Sequence, residues 1–172
     1  AKEALVGQPW RPGELESLRL ELAAELRDRG YLSADVELEL VRQDHLASGR
    51  FIVRPGVQAR LRSVVVQGNQ RTRRTVIERE LAVVVGEPVG PEALEETRRR
   101  LYDLDLFRVV DLELVGEDGR ARDLIIRLTE RPGMLVELSG GVATDRGTQA
   151  RALVAHRNIG GLGHRISLLG QA

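Results

Sequence analysis

The 172-residue chain has no cysteine. That removes a disulfide framework and every thiolate metal site, and leaves the compartment open. No apolar run approaches the roughly 20 residues that a membrane-spanning helix needs. The opening AKEALVGQPW lacks the long apolar core of a signal peptide. Its Ala4-Leu5-Val6 reads as the end of an element that begins earlier. An excess of charge of one sign is also missing, since 26 Lys and Arg balance 26 Asp and Glu. This argues against a nucleic-acid binder working by bulk electrostatics. Clusters with catalytic or metal-ligand spacing are absent as well. His45, His156 and His164 lie far apart and read as surface or strand-end residues. Glu78 and Glu80 belong to a charged helix face. Gly140-Gly141 and Gly160-Gly161-x-Gly163 lack the strand-to-helix context of a phosphate loop. No enzyme, cofactor or metal site is expected.

What the chain does contain is a change of composition and a repeat. Its length allows one ordinary domain or two to three small ones. Residues 132–172 hold only 6 charged residues but 8 of the 18 glycines. A boundary is therefore expected near Arg131-Pro132-Gly133, itself a turn signal. Upstream, Gly7-Gln8-Pro9 matches Gly86-Glu87-Pro88. At the same offset Leu15 matches Leu94, Arg19 matches Arg98 and Leu22 matches Leu101. After a shorter offset, Val36-Glu37-Leu38-Glu39-Leu40-Val41 matches Val110-Asp111-Leu112-Glu113-Leu114-Val115. These are two copies of one unit.

The second copy reads as complete over residues 61–131. The valine-rich run from Leu61 to Gln67 predicts a strand, ended by Gly68-Asn69. Thr72 or Thr75 is positioned to cap a short helix, with Glu78 completing a capping box from Thr75. Pro91 suits a first helical turn, and Leu94, Leu101 and Leu104 form the inner stripe of a second helix. Arg98-Arg99-Arg100 follow Glu92, Glu95 and Glu96, which reads as a self-neutralising surface. Leu106 and Phe107 are expected to plug the core. Val109 to Val115 then alternates, with Val110, Leu112 and Leu114 inward. The Asp118-Gly119 pair predicts a hairpin turn, and Asp123 to Glu130 returns with Leu124, Ile126 and Leu128 inward. The unit is β-α-α-β-β. The first copy, within residues 1–60, keeps only the second half: a helix from Gly13 to Arg29 and strands at Asp35 to Val41 and about Gly49 to Val53. Its Gly30-Tyr31 takes the part of Leu106-Phe107. A domain of ~60 residues buries only about 60% of the surface its unfolded chain exposes, so each unit is expected to lean on its neighbours, with the joint at Pro55-Gly56 to Arg60.

Residues 132–172 predict three strands. In Met134 to Val142, Val136, Leu138 and Val142 share one face, with Glu137 and Ser139 on the other. Turns follow at Thr144 to Gly147 and at Asn158 to Gly163, and a last strand starts at Arg165. The pattern fits two architectures. One is a soluble antiparallel meander with one dry face. The other is a set of transmembrane β-strands, which need roughly 9–11 residues each.

The run VVVQGNQRTRRTVIERELAVVVGEPVGPEALEETRRRLYDLDLFRVVDLEL resembles a POTRA domain: a strand, Gly-Asn, a capped helix, Gly-x-Pro, a second helix ending R-x-L-Y, and x-L-F before the next strand. Such domains precede the barrel in BamA/TamA-type outer-membrane assembly proteins. The tail, with ATDRG and HRNIGGLGHRISL, is similar to that family's first barrel strands and leans toward the TamA side. The resemblance implies an α+β chain with tandem POTRA-like units, the first truncated, followed by the initial antiparallel strands of a transmembrane β-barrel (residues 132–172). It also implies an outer-membrane location with the POTRA domains in the periplasm. The implied partners are unfolded outer-membrane protein clients, periplasmic or lipoprotein accessory subunits, and outer-membrane lipid, with no nucleic acid. Two departures stand out. Asp105 occupies a position where the family often has glycine, and three strands cannot close a barrel.

On this resemblance the chemistry belongs to the backbone. A strand at a sheet margin offers unpaired N–H and C=O groups to an incoming segment. The expected binding edge is Val109, Val110, Asp111, Leu112, Glu113, Leu114 and Val115, with Asp35 to Val41 as its counterpart; Asp111 and Glu113 guard against indiscriminate pairing. The expected first barrel strand, at a seam that admits clients, contains Met134, Val136, Leu138, Gly140, Gly141 and Val142. Two other readings use the same modules: a two-partner secretion pore, and a structural array that only holds accessory proteins.

Overall fold

The computed structural model describes residues 12–43, 46–116, 119–143 and 147–171. It is mixed α+β with strands dominating. The described elements are α1 (Pro12–Asp28), β1 (Asp35–Gln43), β2 (Leu46–Arg54), β3 (Arg60–Gln67), α2 (Arg74–Glu78), α3 (Pro91–Asp103), β4 (Phe107–Val115), β5 (Ala121–Glu130), β6 (Met134–Ala143), β7 (Gly147–Ile159) and β8 (His164–Gln171). The strands form three sheets, with orders β1-β2, β3-β5-β4 and β6-β7-β8.

In the middle unit β3 and β5 are parallel and β4 is antiparallel to β5. Two parallel strands need a long crossover, and here α2, α3 and β4 lie between them. The alternation in β4 and β5 turns Val110, Leu124, Ile126 and Leu128 onto the helices, where they meet Ile77, Leu101 and Phe107 in one buried cluster. Phe107 and Leu106 do plug the core, at 0% and 4% exposure. The short handover from α3 to β4 is possible because Asp105 takes φ 55°, a left-handed conformation that aspartate tolerates better than most residues. On the helix surface Arg98 pairs with Glu95, and Arg99 and Arg100 pair with Glu96.

The expected capping box is not formed. α2 spans only five residues, its N-cap is Arg73, and no side chain caps it. Glu78 instead pairs with Arg74 at 2.6 Å. The preceding turn is held from outside: the Glu130 carboxylate accepts the N–H groups of Arg71 and Thr72. A buried threonine unnoticed in the sequence does comparable work. Thr97 is fully buried; its hydroxyl donates to the Ala93 carbonyl and accepts the Ala82 N–H at 3.0 Å. It ties α3 to the loop after α2.

The first unit has α1 against a two-stranded sheet whose strands are longer than expected; residues 44–45 lie outside the described residues. Leu15, Leu18, Leu22 and Leu26 are only half-buried, because two strands make too narrow a floor to cover the helix. The unit leans on its neighbour. Asp28 accepts the Glu92 N–H at 2.9 Å and so caps α3 from the other unit. Gly90, the N-cap of α3, touches Asp28 so closely that a Cβ would lie 2.3 Å from its Cα.

Two outcomes are expected. Thr97→Val keeps the shape but strands the Ala82 N–H, and should cost about 1–3 kcal/mol in urea unfolding; a smaller loss would mean that water reaches that amide. The second concerns Asp123 on β5. The Arg62 guanidinium, and then the Ser63 hydroxyl, hold its carboxyl down at about 2. A carboxyl acidified by folding contributes stability that is present above about pH 4 and is lost as the pH falls toward 2. Asp123→Asn should flatten that acid limb of the urea midpoint; parallel limbs in the two proteins would contradict it.

Candidate functional site

β4 lies at the margin of its sheet. The Val110 N–H points away from β5 and donates to the Tyr102 hydroxyl at 3.2 Å. Along an antiparallel strand the backbone groups of alternate residues face the same side, so Leu112 and Leu114 also turn theirs outward. Among the described residues nothing pairs with the outer backbone groups of Leu112 and Leu114. Their side chains are part-buried against the core. On the solvent face Asp111 and Glu113 share the single guanidinium of Arg127, at 3.2 and 2.7 Å.

The opposite margin is partly occupied. Leu61 of β3 donates its N–H to Glu87 and accepts the Gly86 N–H, at 2.9 and 2.7 Å. Arg74 donates to the Val64 carbonyl at 3.2 Å. In the first unit β1 is paired on one side by β2, and Arg19 of α1 donates to the Val36 carbonyl at 3.2 Å.

The glycine-rich tail forms a separate antiparallel sheet. Its register places Val136, Val154 and Leu168 in one cross-strand row, with Met134, His156 and Ile166 beside it. This face is open: Leu138 is 79% exposed and Leu168 72%. β6 lies at the margin, where Gly140, Gly141 and Val142 pair with Ala150, Gln149 and Thr148; their exposure lies outside the described residues. Val109–Val115 and Met134–Val142 thus occupy the margins of two different sheets and form two surfaces rather than one site.

Residues 59–131 match the family model for POTRA, the surface antigen variable number repeat. The middle unit is a POTRA domain. Curated proteins similar to the chain include outer membrane protein assembly factors named BamA. The chain is 29% identical over 164 residues to the outer membrane protein assembly factor BamA of Neorickettsia risticii, covering 93% of this chain and 22% of that protein. It is 26% identical to BamA of Neisseria meningitidis serogroup B, covering 94% of this chain and 21% of that one. Among solved structures, BamA from Haemophilus ducreyi lacking POTRA domains 1-3 fits with a TM-score of 0.77 at 25% identity, over 97% of this chain and 32% of that one. CdiB from Acinetobacter baumannii shares the fold alone, with a TM-score of 0.57 at 18% identity over 96% of this chain and 31% of its own. The chain spans about a fifth of the length of the curated relatives it matches.

The POTRA domain also touches the tail sheet. The sequence gives Asn158 to Gly163 only as a turn; in the structure it docks on the segment before α2. The Asn158 amide donates to the Thr72 hydroxyl at 2.9 Å, and its carbonyl oxygen accepts the Gly163 N–H at the same distance. Arg73 donates its N–H to Gly161 and its Nε to Gly160, at 3.0 and 3.1 Å. Gly161, at φ 75°, leaves no room for a side chain: a Cβ would lie 2.3 Å from the Arg71 carbonyl oxygen. Asp105 lies between Arg131 at 3.7 Å and Arg157 at 3.6 Å. A carboxylate at that position links the POTRA domain to β7 in a way that glycine cannot. The signals available in the sequence were Asn158 with its glycines and the departure at Asp105; neither named its partner.

Asn158→Ala should release this dock. The Arg73 amide would then exchange with solvent at least severalfold faster, while the Leu124 and Ile126 amides keep their protection. Unchanged Arg73 protection would show that the turn stays docked without Asn158.

Proposed function

We propose that this chain acts in outer-membrane protein assembly. Its POTRA units receive unfolded outer-membrane protein segments as added strands, and β6, β7 and β8 are the first strands of the barrel to which those segments pass. The setting is the bacterial outer membrane, with the POTRA units in the periplasm, where accessory subunits have access to the same modules. The single observation that carries the reading is the open outer side of β4 at Leu112 and Leu114, on a domain whose curated relatives are named outer membrane protein assembly factors.

Two features support the barrel. The strands span 10, 13 and 8 residues, close to what a tilted strand needs to cross a bilayer. The face bearing Met134, Val136, Leu138, Val154, Ile166 and Leu168 is exposed and, apart from His156, apolar, which suits lipid. In the soluble meander weighed from the sequence, that face would be covered by a core. At the β6 margin Gly140 and Gly141 supply no side chain for packing, which suits a seam that opens.

Proline at position 112 removes one outward N–H and no ladder bond, a substitution that a margin strand accepts. In the full-length protein Leu112→Pro should cut crosslinking of a photo-reactive group at Glu113 to nascent outer-membrane proteins at least tenfold, with helix content unchanged. Capture at the original level would refute the edge. Crosslinks only to stable accessory subunits would favour a scaffold. Locking β6 to the last barrel strand by a disulfide should stop client insertion; undiminished insertion would remove the seam.

A further inference from the structure

Tyr102 stands beside the β4 margin. It ends α3 and is 41% exposed, yet its hydroxyl accepts the Val110 N–H, the first outward donor of the β4 margin. Val110 itself is only 4% exposed. A strand that used this rung would have to break that hydrogen bond and displace the ring. The first unit closes the same place by different chemistry. Val36 is the repeat equivalent of Val110, and there Arg19 from α1 donates to the carbonyl. In both units a helix side chain takes one backbone group of this rung, the Val110 N–H in one and the Val36 carbonyl in the other; among the described residues no side chain does so at Leu112 and Leu114 or at Leu38 and Leu40.

We propose that Tyr102 closes the Val110 rung and thereby sets the register of strand addition, so that pairing begins at Leu112. The inference rests on the edge-pairing reading and deepens it. Side chains alternate with a period of two, so a ladder that starts one rung later shifts the added strand by two residues along β4 and keeps its faces. The occupant this margin fits is an extended peptide with apolar residues toward Leu112 and Leu114. Cationic residues belong on its other face, beside Asp111 and Glu113, whose two carboxylates share one guanidinium. With Val110 closed, that acidic pair flanks the first rung the peptide can use.

The test uses the full-length protein in detergent and a fluorescein-labelled nine-residue peptide alternating valine and lysine. Binding is read by anisotropy and the margin amides by hydrogen exchange. Tyr102→Phe keeps the ring and removes the acceptor; Tyr102→Ala removes both. In the free protein both should raise Val110 amide exchange at least tenfold. With the rung open, the Tyr102→Ala protein should bind the peptide about three- to tenfold more tightly, one net hydrogen bond, and the Val110 amide should become protected on binding. In the original protein the peptide should protect Leu112 and Leu114 only. If both variants bind as the original does and Val110 exchange does not move, while Leu112→Pro abolishes binding, Tyr102 sets no register and the edge stands. If Leu112→Pro binds as the original does, the edge falls and the register with it.

Discussion

A three-stranded sheet has one interior strand, and its other two each leave a row of N–H and C=O groups facing outward. Here β5 is interior and β3 and β4 are marginal. The middle unit meets that requirement unevenly. On β3 the chain answers its own groups, with the turn at Gly86-Glu87 and the guanidinium of Arg74. On β4 it answers one rung, through Tyr102. The remaining outward groups stay in water, flanked by a pair of carboxylates that share one cation. The buried apolar side chains of the unit are gathered in the core around Phe107, Leu124 and Ile126, while Val65, Val84 and Val85 stay exposed.

The described contacts at both joints between the units include polar ones. Between the first unit and the POTRA domain, Asp28 caps α3, Gly90 permits contact with the α1 terminus, and the Ala59 N–H reaches the Gly30 carbonyl at 2.7 Å. Between the POTRA domain and the tail sheet, the contacts include Asn158 with Thr72, Arg73 with the glycine turn, and Asp105 with Arg157. Hydrogen bonds of this kind specify an orientation while each contributes only about 0.5–1.5 kcal/mol. Polar joints hold relative positions and yield readily.

Much of the fold was legible because it is periodic. The alternation of Val110, Leu112 and Leu114, the Leu94–Leu101 stripe and the Leu106-Phe107 plug are local patterns whose cause is burial, so spacing alone placed them. The repeat was legible for the same reason. What could not be read involved partners distant in sequence. Spacing makes Thr72 one of two candidate helix caps, with Thr75, but its side-chain partner is Asn158, 86 residues later, and the turn it sits in is held by Glu130. Thr97 looks like any helix-surface threonine until the loop from α2 brings the Ala82 N–H over it. That Val109–Val115 is a margin strand follows from the sheet order, which periodicity does not contain. Tyr102 belonged to the family-like ending of the helix, and nothing in its neighbours disclosed that its hydroxyl reaches across to Val110.

The two margins face different solvents on the proposed reading, and that difference orders their roles. The outward groups of β4 lie in water, where an unmade hydrogen bond is satisfied by solvent, so strand addition there is reversible and its net gain per bond small. The outward groups of β6 would lie at the level of the bilayer, where each unpaired group costs several kcal/mol. A seam strand cannot stay open there: it must be paired by the far end of the barrel or by an incoming strand. On that reading a segment held weakly at β4 and offered to β6 would move toward the margin where pairing is worth more. The direction of transfer would then follow from the change of solvent between the two sheets.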